Sequence, residues 1–381
     1  MDSKQEKREQ ALRRRRRRNI LLAVIVIAAV AAAVILAGGR QYGEYKVLRS
    51  DRQDDTLTSR YGRVGGFILQ YETDGARLWD RQGEEIWNIS YTMTDPAFVT
   101  CGETAAIYDK GGTAVVVTDR NGKRGEFTTK LPIVRVSVSE EGNVAALQED
   151  ENNAWIEYYS SAGTEIASIR TAMDDPGYPM GISISPNGEL LAVSYLSFKG
   201  GIQKGVVHVY SFGEEGQNQM DNRIAAFDFN QRVVPEVDYL DNKTLVVFRD
   251  NGFTICEGAR IPEVSEEVTV DREIRAVFHD ETHVGLLMTG DEEDTWQMCL
   301  YGKSGRQQFS ETIDFPWSRV ELYQNEISLY NGAALRVYDS SGGIRYDGVY
   351  ALEPRSFFAI GKHRYVVVTE TGIDVIQLKG H

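Results

Sequence analysis

LWDRQGEEIW, Leu78–Trp87, runs from a β-prone segment through an acid, two polar residues and a glycine into a second β-prone segment. Nearly the same frame returns at Thr118 to Gly122, Tyr159 to Gly163, Tyr301 to Gly305 and Tyr338 to Gly342. Glycine at the fifth place fits a hairpin turn that needs positive φ, a conformation costly for any residue with a Cβ. A second unit sits between these frames. In GISISPNGELLAVSY, Gly181 to Tyr195, residues Ile182, Ile184, Ser185 and Gly188 fall on Val136, Val138, Ser139 and Gly142 of RVSVSEEGNVAALQE, Arg135 to Glu149. The same strand, turn, strand pattern is legible in FVTCGETAAIYD, VDYLDNKTLVVF, AVFHDETHVGLLM, VELYQNEISLY and FFAIGKHRYVVV.

Together the two units give four antiparallel strands, a to d, with starts near residues 57, 97, 134, 180, 235, 274, 318 and 355. The spacing falls in the range of roughly 40–50 residues that marks propeller blades. Such a small sheet, apolar on both faces, must be covered by neighbours, and a ring of them leaves only short protected edges. The expected fold is therefore all-β, a β-propeller of four-stranded antiparallel blades. Eight blades are counted; seven is the alternative, because the first unit is the poorest match. The last unit supplies only strands a, b and c, so EYKVL, Glu44 to Leu48, is expected to close it as the missing outer strand.

The formal charge of −14 is unevenly distributed. Residues 1–18 hold nine Lys or Arg against three acids, a balance of +6, which leaves −20 for the rest. Six arginines, Arg13 to Arg18, abut eighteen apolar residues, Ile20 to Ala37. As a helix these would reach roughly 27 Å, close to the thickness of a bilayer core. The positive-inside rule keeps the arginines in the cytoplasm. The expected organisation is a basic cytoplasmic tail over 1–18, a transmembrane helix over 19–39, a linker with the closing strand over 40–56, and an extracytoplasmic propeller over 57–381. Cleavage after the small residues Ala31, Ala33 or Ala37 is the competing reading. Nucleic-acid binding by the arginine run is set aside because a membrane segment follows at once. Cys101, Cys256 and Cys299 are too few and too widely spaced for a disulfide framework and read as small buried strand residues.

SPNG, Ser185 to Gly188, resembles the SPDG-type a–b turn of WD-repeat-like propellers, and WDRQGEEIW and YDSSGG resemble the D-x-x-G hairpins of quinoprotein-type propellers. The layout of arginine-rich tail, membrane helix and outer propeller is similar to a family of bacterial envelope proteins labelled as a domain of unknown function. The resemblance spans roughly residues 13–378 and implies a fold, not an activity, since propellers host many functions.

Catalytic constellations are sparse. HDETH, His279 to His283, has zinc-like i, i+4 spacing, but it straddles an a–b hairpin rather than a helix and reads as an exposed polar turn. His208 alternates within strand c of blade four and reads as half-buried. No G-x-S-x-G elbow occurs, and GRVGGF, Gly62 to Phe67, lacks the helix and lysine of a phosphate loop. No cofactor or metal is expected. The quinoprotein likeness would imply a quinone-dependent dehydrogenase, but no cofactor residues carry over. Asn88 and Asn242 stand in glycosylation sequons, relevant only in a eukaryotic host.

The b–c turns carry more information. Blades three and six share a form, ALQEDENNAW beside LMTGDEEDTW, which places Asp150 and Glu151, and Asp291, Glu292, Glu293 and Asp294, on one face with Trp155 and Trp296 after them. The tryptophans read as strand core. Such a face attracts cations or basic protein surfaces and repels polyanions. Blade four breaks the period with LSFKGGIQKG, read as a long irregular b–c connection bearing Phe198, Lys199 and Lys204, the best candidate contact loop. The expected function is a membrane-anchored, non-catalytic binding or scaffolding module of the cell envelope, whose partner is an envelope protein or a cationic ligand and not nucleic acid. The alternatives are a propeller enzyme, either a quinone-dependent dehydrogenase or a hydrolase, and an envelope sensor.

Overall fold

The computed structural model describes residues 42–380 apart from 53–57, 152, 173–175, 200 and 218. The expected membrane helix over 19–39 lies outside the described residues; among those described, no helix is long and apolar enough to cross a membrane. Strands dominate, and they fall into eight consecutive groups of four. The innermost strands, a, are Arg60–Val64, Pro96–Cys101, Ile133–Val138, Tyr178–Ile184, Glu236–Tyr239, Ile274–His279, Arg319–Tyr323 and Ser356–Gly361. Six groups are separate four-stranded antiparallel sheets. The last two join into one eight-stranded sheet, because Tyr42–Asp51 completes blade eight and touches blade seven.

Period-2 alternation explains how the blades stack. In strand b of blade two (Thr104–Asp109), Ala105 and Ile107 pack towards blade one, while Ala106 and Tyr108 pack towards blade three. Successive side chains of a strand point to opposite faces, so one apolar strand feeds two cores. The same sharing continues through blades three and four, four and five, five and six, six and seven, and seven and eight. It ends where Tyr61, Ile68 and Trp79 of blade one meet Phe358, Ile360, Val366 and Val375 of blade eight. Eight blades therefore close into a ring. Fully buried side chains such as Ile107, Leu147 and Ile156 each contribute about 1.5–3 kcal/mol relative to exposure. Strands d, by contrast, are largely exposed: EVSEEVT in blade five has one half-buried residue, Val268. Their polar composition suits an outer edge that must not pair with other chains.

The repeated frame is the c–d hairpin. Gly83, Gly122, Gly163, Gly305 and Gly342 all have positive φ. The acid ahead of the glycine has its own work in blades one and seven: Asp80 Oδ1 accepts the amides of Gln82 and Glu84 at 2.8 Å, and Asp339 Oδ1 those of Ser341 and Gly343. The side chain thus stands in for a backbone acceptor in the turn. In the a–b turns, Ser139 and Ser185 hydroxyls accept the amides of Asn143 and Leu190.

Tyr42–Asp51 pairs antiparallel with Gly372–Gly380, from Tyr42 opposite Gly380 to Asp51 opposite Ile373. A parallel bridge of Tyr42 to Tyr346 ties the same strand to blade seven. Cys101, Cys256 and Cys299 are free thiols, and Cys256 and Cys299 are buried.

Candidate functional site

Blade four departs from its neighbours. Its strands b and c, Leu190–Lys199 and Ile202–Ser211, each have ten residues, against five to seven in the other b strands. Pairing is continuous from Leu190 opposite Ser211 to Lys199 opposite Ile202. The long irregular connection expected at LSFKGGIQKG is thus corrected to a regular hairpin extension. Backbone pairing needs no apolar alternation, and Gly201, at φ +80°, turns the chain tightly enough for the ladder to run to its tip. Phe198 and Ile202 project there, 61% and 56% exposed. Lys204 lies lower on the hairpin and pairs with Asp228 of strand d at 2.8 Å.

Beside the hairpin lies a cleft of about 370 Å³, lined by Glu149, Asp150, Glu151, Asn153, Tyr178 and Pro179 among others. Tyr178 is paired with Leu196 at the base of the hairpin, which makes cleft and tip neighbours. Asp150 accepts the Asn153 amide at 2.8 Å and so folds the acidic turn on itself. Arg170 bonds Asn153 Oδ1 at 3.0 Å and lies over the Trp155 ring, 5.6 Å from its centroid. The Glu149 carboxylate, through hydrogen bonding and charge together with burial, pushes the Tyr178 phenol up to about 12. It therefore stays a neutral donor on the acidic wall.

The acids of blade six are not brought to this cleft. Asp291 pairs with Arg272 at 2.7 Å, which holds its carboxyl below the ordinary range. The Glu292 carbonyl accepts the Thr295 hydroxyl at 2.8 Å, Glu293 is exposed, and Asp294 turns the chain at φ +58°. Trp296 meets Trp317 edge-on at 5.5 Å and is half-buried. The acidic face expected from the sequence is thus divided: the blade-three acids line the cleft beside the hairpin of blade four, and the blade-six acids do not.

A third cluster was not visible in the sequence. Glu236 and Asp238 on strand a of blade five and His279 at the end of strand a of blade six bring three ligand atoms within 4.8 Å of one another. His279 Nε2 is 3.2 Å from Asp238 Oδ2, and its ring lies 5.9 Å from that of Phe248. Burial and the adjacent Asp238 carboxylate push Glu236 up to about 7. For His279 burial acts downward, but the bond and charge of Asp238, helped by Glu236 and Asp280, outweigh it and raise the imidazole. His279 and His283, paired by sequence spacing, do different things. His283 is buried, so the HDETH segment is not wholly an exposed turn: its Nδ1 lies 3.2 Å from Asp280 Oδ1, which also accepts its amide. His208, expected to be half-buried, is buried beside Tyr195 and Tyr210.

Residues 38–378 match the model of a family of unknown function, DUF5711. The chain belongs to that family. No curated protein matches the sequence. Among solved structures, BamB from Moraxella catarrhalis is similar over 88% of this chain and 100% of its own, at 10% identity and a TM-score of 0.51. The WD40 domain of SCAP from fission yeast is similar over 88% of this chain and 96% of its own, at 9% identity and a TM-score of 0.49. At such identities the likeness to BamB speaks for the propeller fold alone.

Proposed function

We propose that this member of the DUF5711 family is a non-catalytic binding module of the bacterial cell envelope. Residues 19–39 anchor it in the membrane with the N-terminus cytoplasmic and the propeller outside. The anchor rests on the eighteen apolar residues beside Arg13 to Arg18. The binding reading rests on one observation above all: a paired hairpin carries Phe198 and Ile202 into solvent next to a cleft walled by Glu149, Asp150 and Glu151. Apolar side chains held by a regular ladder lose little entropy on docking, and a neighbouring acidic wall adds charge selection. That combination suits a protein partner presenting an apolar patch flanked by Lys or Arg.

The test is crosslinking of the full-length anchored protein in its own membrane, with partners identified for the wild type and for a Phe198→Ser, Ile202→Ser double variant. A partner lost in the variant, and released from the wild type by raised salt, supports the reading. Identical partners in both, at matched expression, remove the hairpin from the binding surface.

A further inference from the structure

On or just ahead of other inner strands, acids pair with arginine. Asp95 pairs with Arg60 at 2.9 Å, Glu273 with Arg275 at 3.1 Å, and Glu321 with Arg63 at 3.1 Å. Glu236 and Asp238 break that rule. Among the described residues neither forms an ion pair with Lys or Arg, although the Arg135 charge is near enough to favour the Glu236 carboxylate. Among the described residues, the one cationic group within ion-pairing distance of Asp238 is His279. Two carboxylates and one imidazole therefore stand together with no lysine or arginine of the described residues bonded to either acid.

The donor set and its geometry suit a particular class of ion. An imidazole nitrogen with two carboxylate oxygens is a borderline set that favours first-row transition cations over magnesium or calcium, which prefer all-oxygen shells. Zinc held at about 2.0–2.1 Å in a tetrahedron puts its ligand atoms about 3.3 Å apart. The Asp238 to His279 separation of 3.2 Å already matches one such edge, and the three atoms lie within 4.8 Å. Phe248, near the His279 ring, limits its alternatives. Asp238 and His279 keep 28% and 29% of their side chains exposed, so an ion and its water have a path in.

We propose that Glu236, Asp238 and His279 form a binding site for one divalent transition-metal cation of the zinc type, bridging blades five and six and leaving a coordination position for water. The site lies on the inner strands and is separate from the hairpin of blade four. It needs no partner protein.

Zn²⁺ is the probe. Full-length protein in detergent, stripped with chelator and dialysed, is titrated by calorimetry, and Co²⁺ is added in parallel to read the ligand field by visible absorption. One saturable Zn²⁺ site, a Co²⁺ spectrum with a nitrogen and oxygen ligand set, and a raised melting temperature on loading are expected. His279→Gln, Asp238→Asn and Glu236→Gln keep side-chain volume. Each is expected to weaken Zn²⁺ binding by at least the roughly 10–100-fold that loss of even an outer-sphere partner brings, with the metal-free melting temperature close to wild type. Asp291→Asn, in the exposed acids of blade six, is expected to bind as the wild type does. Absence of a saturable site, binding unchanged in His279→Gln, or preference for Mg²⁺ or Ca²⁺ over Zn²⁺ would each overturn the proposal. Should one variant fail to fold, the other two decide, since each removes one ligand from a different position.

Discussion

Substituting Gly163 by alanine tests whether the repeated hairpin serves only to turn the chain or also to let neighbouring blades meet. Gly163 sits at φ +84°, and a Cβ built there would lie 2.5 Å from Phe127 Cβ and 2.7 Å from Phe127 Cγ, on strand d of blade two. These are the rooted end of the side chain, so the backbone of one blade must give. Left-handed backbone costs an alanine roughly 1–2 kcal/mol, and overpacking of a filled contact adds about 1–3 kcal/mol. The sum is about 2–5 kcal/mol. Gly332, in the b–c turn of blade seven, has φ +53° and open space where its Cβ would go, so alanine there meets only the backbone cost. With an unfolding entropy of roughly 2.1 cal/mol/K per residue, a propeller of this size loses about 1–3 °C of melting temperature at Gly332. The corresponding loss at Gly163 is about 3–7 °C. Calorimetric melting of both variants, together with Phe127→Gly, which removes every contacting atom, and the Phe127→Gly, Gly163→Ala pair, separates the two costs, and the pair is expected to recover the overpacking part of the loss through coupling of touching residues. Equal shifts at Gly163 and Gly332, or no recovery in the pair, would refute the inter-blade argument.

Arg63 spans from blade one to Glu321 of blade seven at 3.1 Å and lies over the Tyr323 ring at 3.7 Å. Arg63→Ala leaves Glu321, 10% exposed, without its cation and is expected to cost about 3 kcal/mol in urea unfolding; a loss under about 0.5 kcal/mol would mean the pair is idle. Burial acts to raise Asp241, but Lys303 and the Lys243 and Thr244 amides outweigh it and hold it at about 2. Its carboxylate then contributes stability above the ordinary carboxylate range, lost as pH falls from about 4 through 2. With 29% of the side chain exposed, about 1–2 kcal/mol is expected. The stability gap between wild type and Asp241→Asn should narrow over that window, and a constant gap would count against the assignment. Phe198→Ser with Ile202→Ser should leave unfolding within about 0.5 kcal/mol of wild type, since both side chains already face water; a larger loss would make the hairpin tip part of the core.

The architecture was legible because its signals are local. Expected starts at 134, 180, 235, 274, 318 and 355 lie within two residues of the observed inner strands, and the strand expected at Glu44–Leu48 lies inside Tyr42–Asp51. Turn glycines and period-2 runs repeat within each blade and need no knowledge of what the blade touches. The start near 57 fell wider of Arg60, where the first blade carries the weakest repeat. Blade four misled in another way: Phe198, Lys199, Gly200 and Gly201 show no alternation, yet a ladder made by backbone groups runs through the hairpin. The Glu236, Asp238 and His279 cluster was hidden because the distance between adjacent inner strands is set by how blades stack. A residue's place along one strand can be read from its own segment, but its neighbour some forty positions on cannot.

The pairing of Tyr42–Asp51 with Gly372–Gly380 also sets a timetable. Tyr42–Asp51 has no antiparallel partner until residues 372–380 follow it, and at about 5–20 residues per second that interval is roughly 15–70 s. Throughout that wait the half-made wheel exposes apolar flanks at both ends of a growing arc. Chains of this protein should therefore lean on holding chaperones, on the side of the membrane where the propeller folds, until the last residues have arrived and the seam can close.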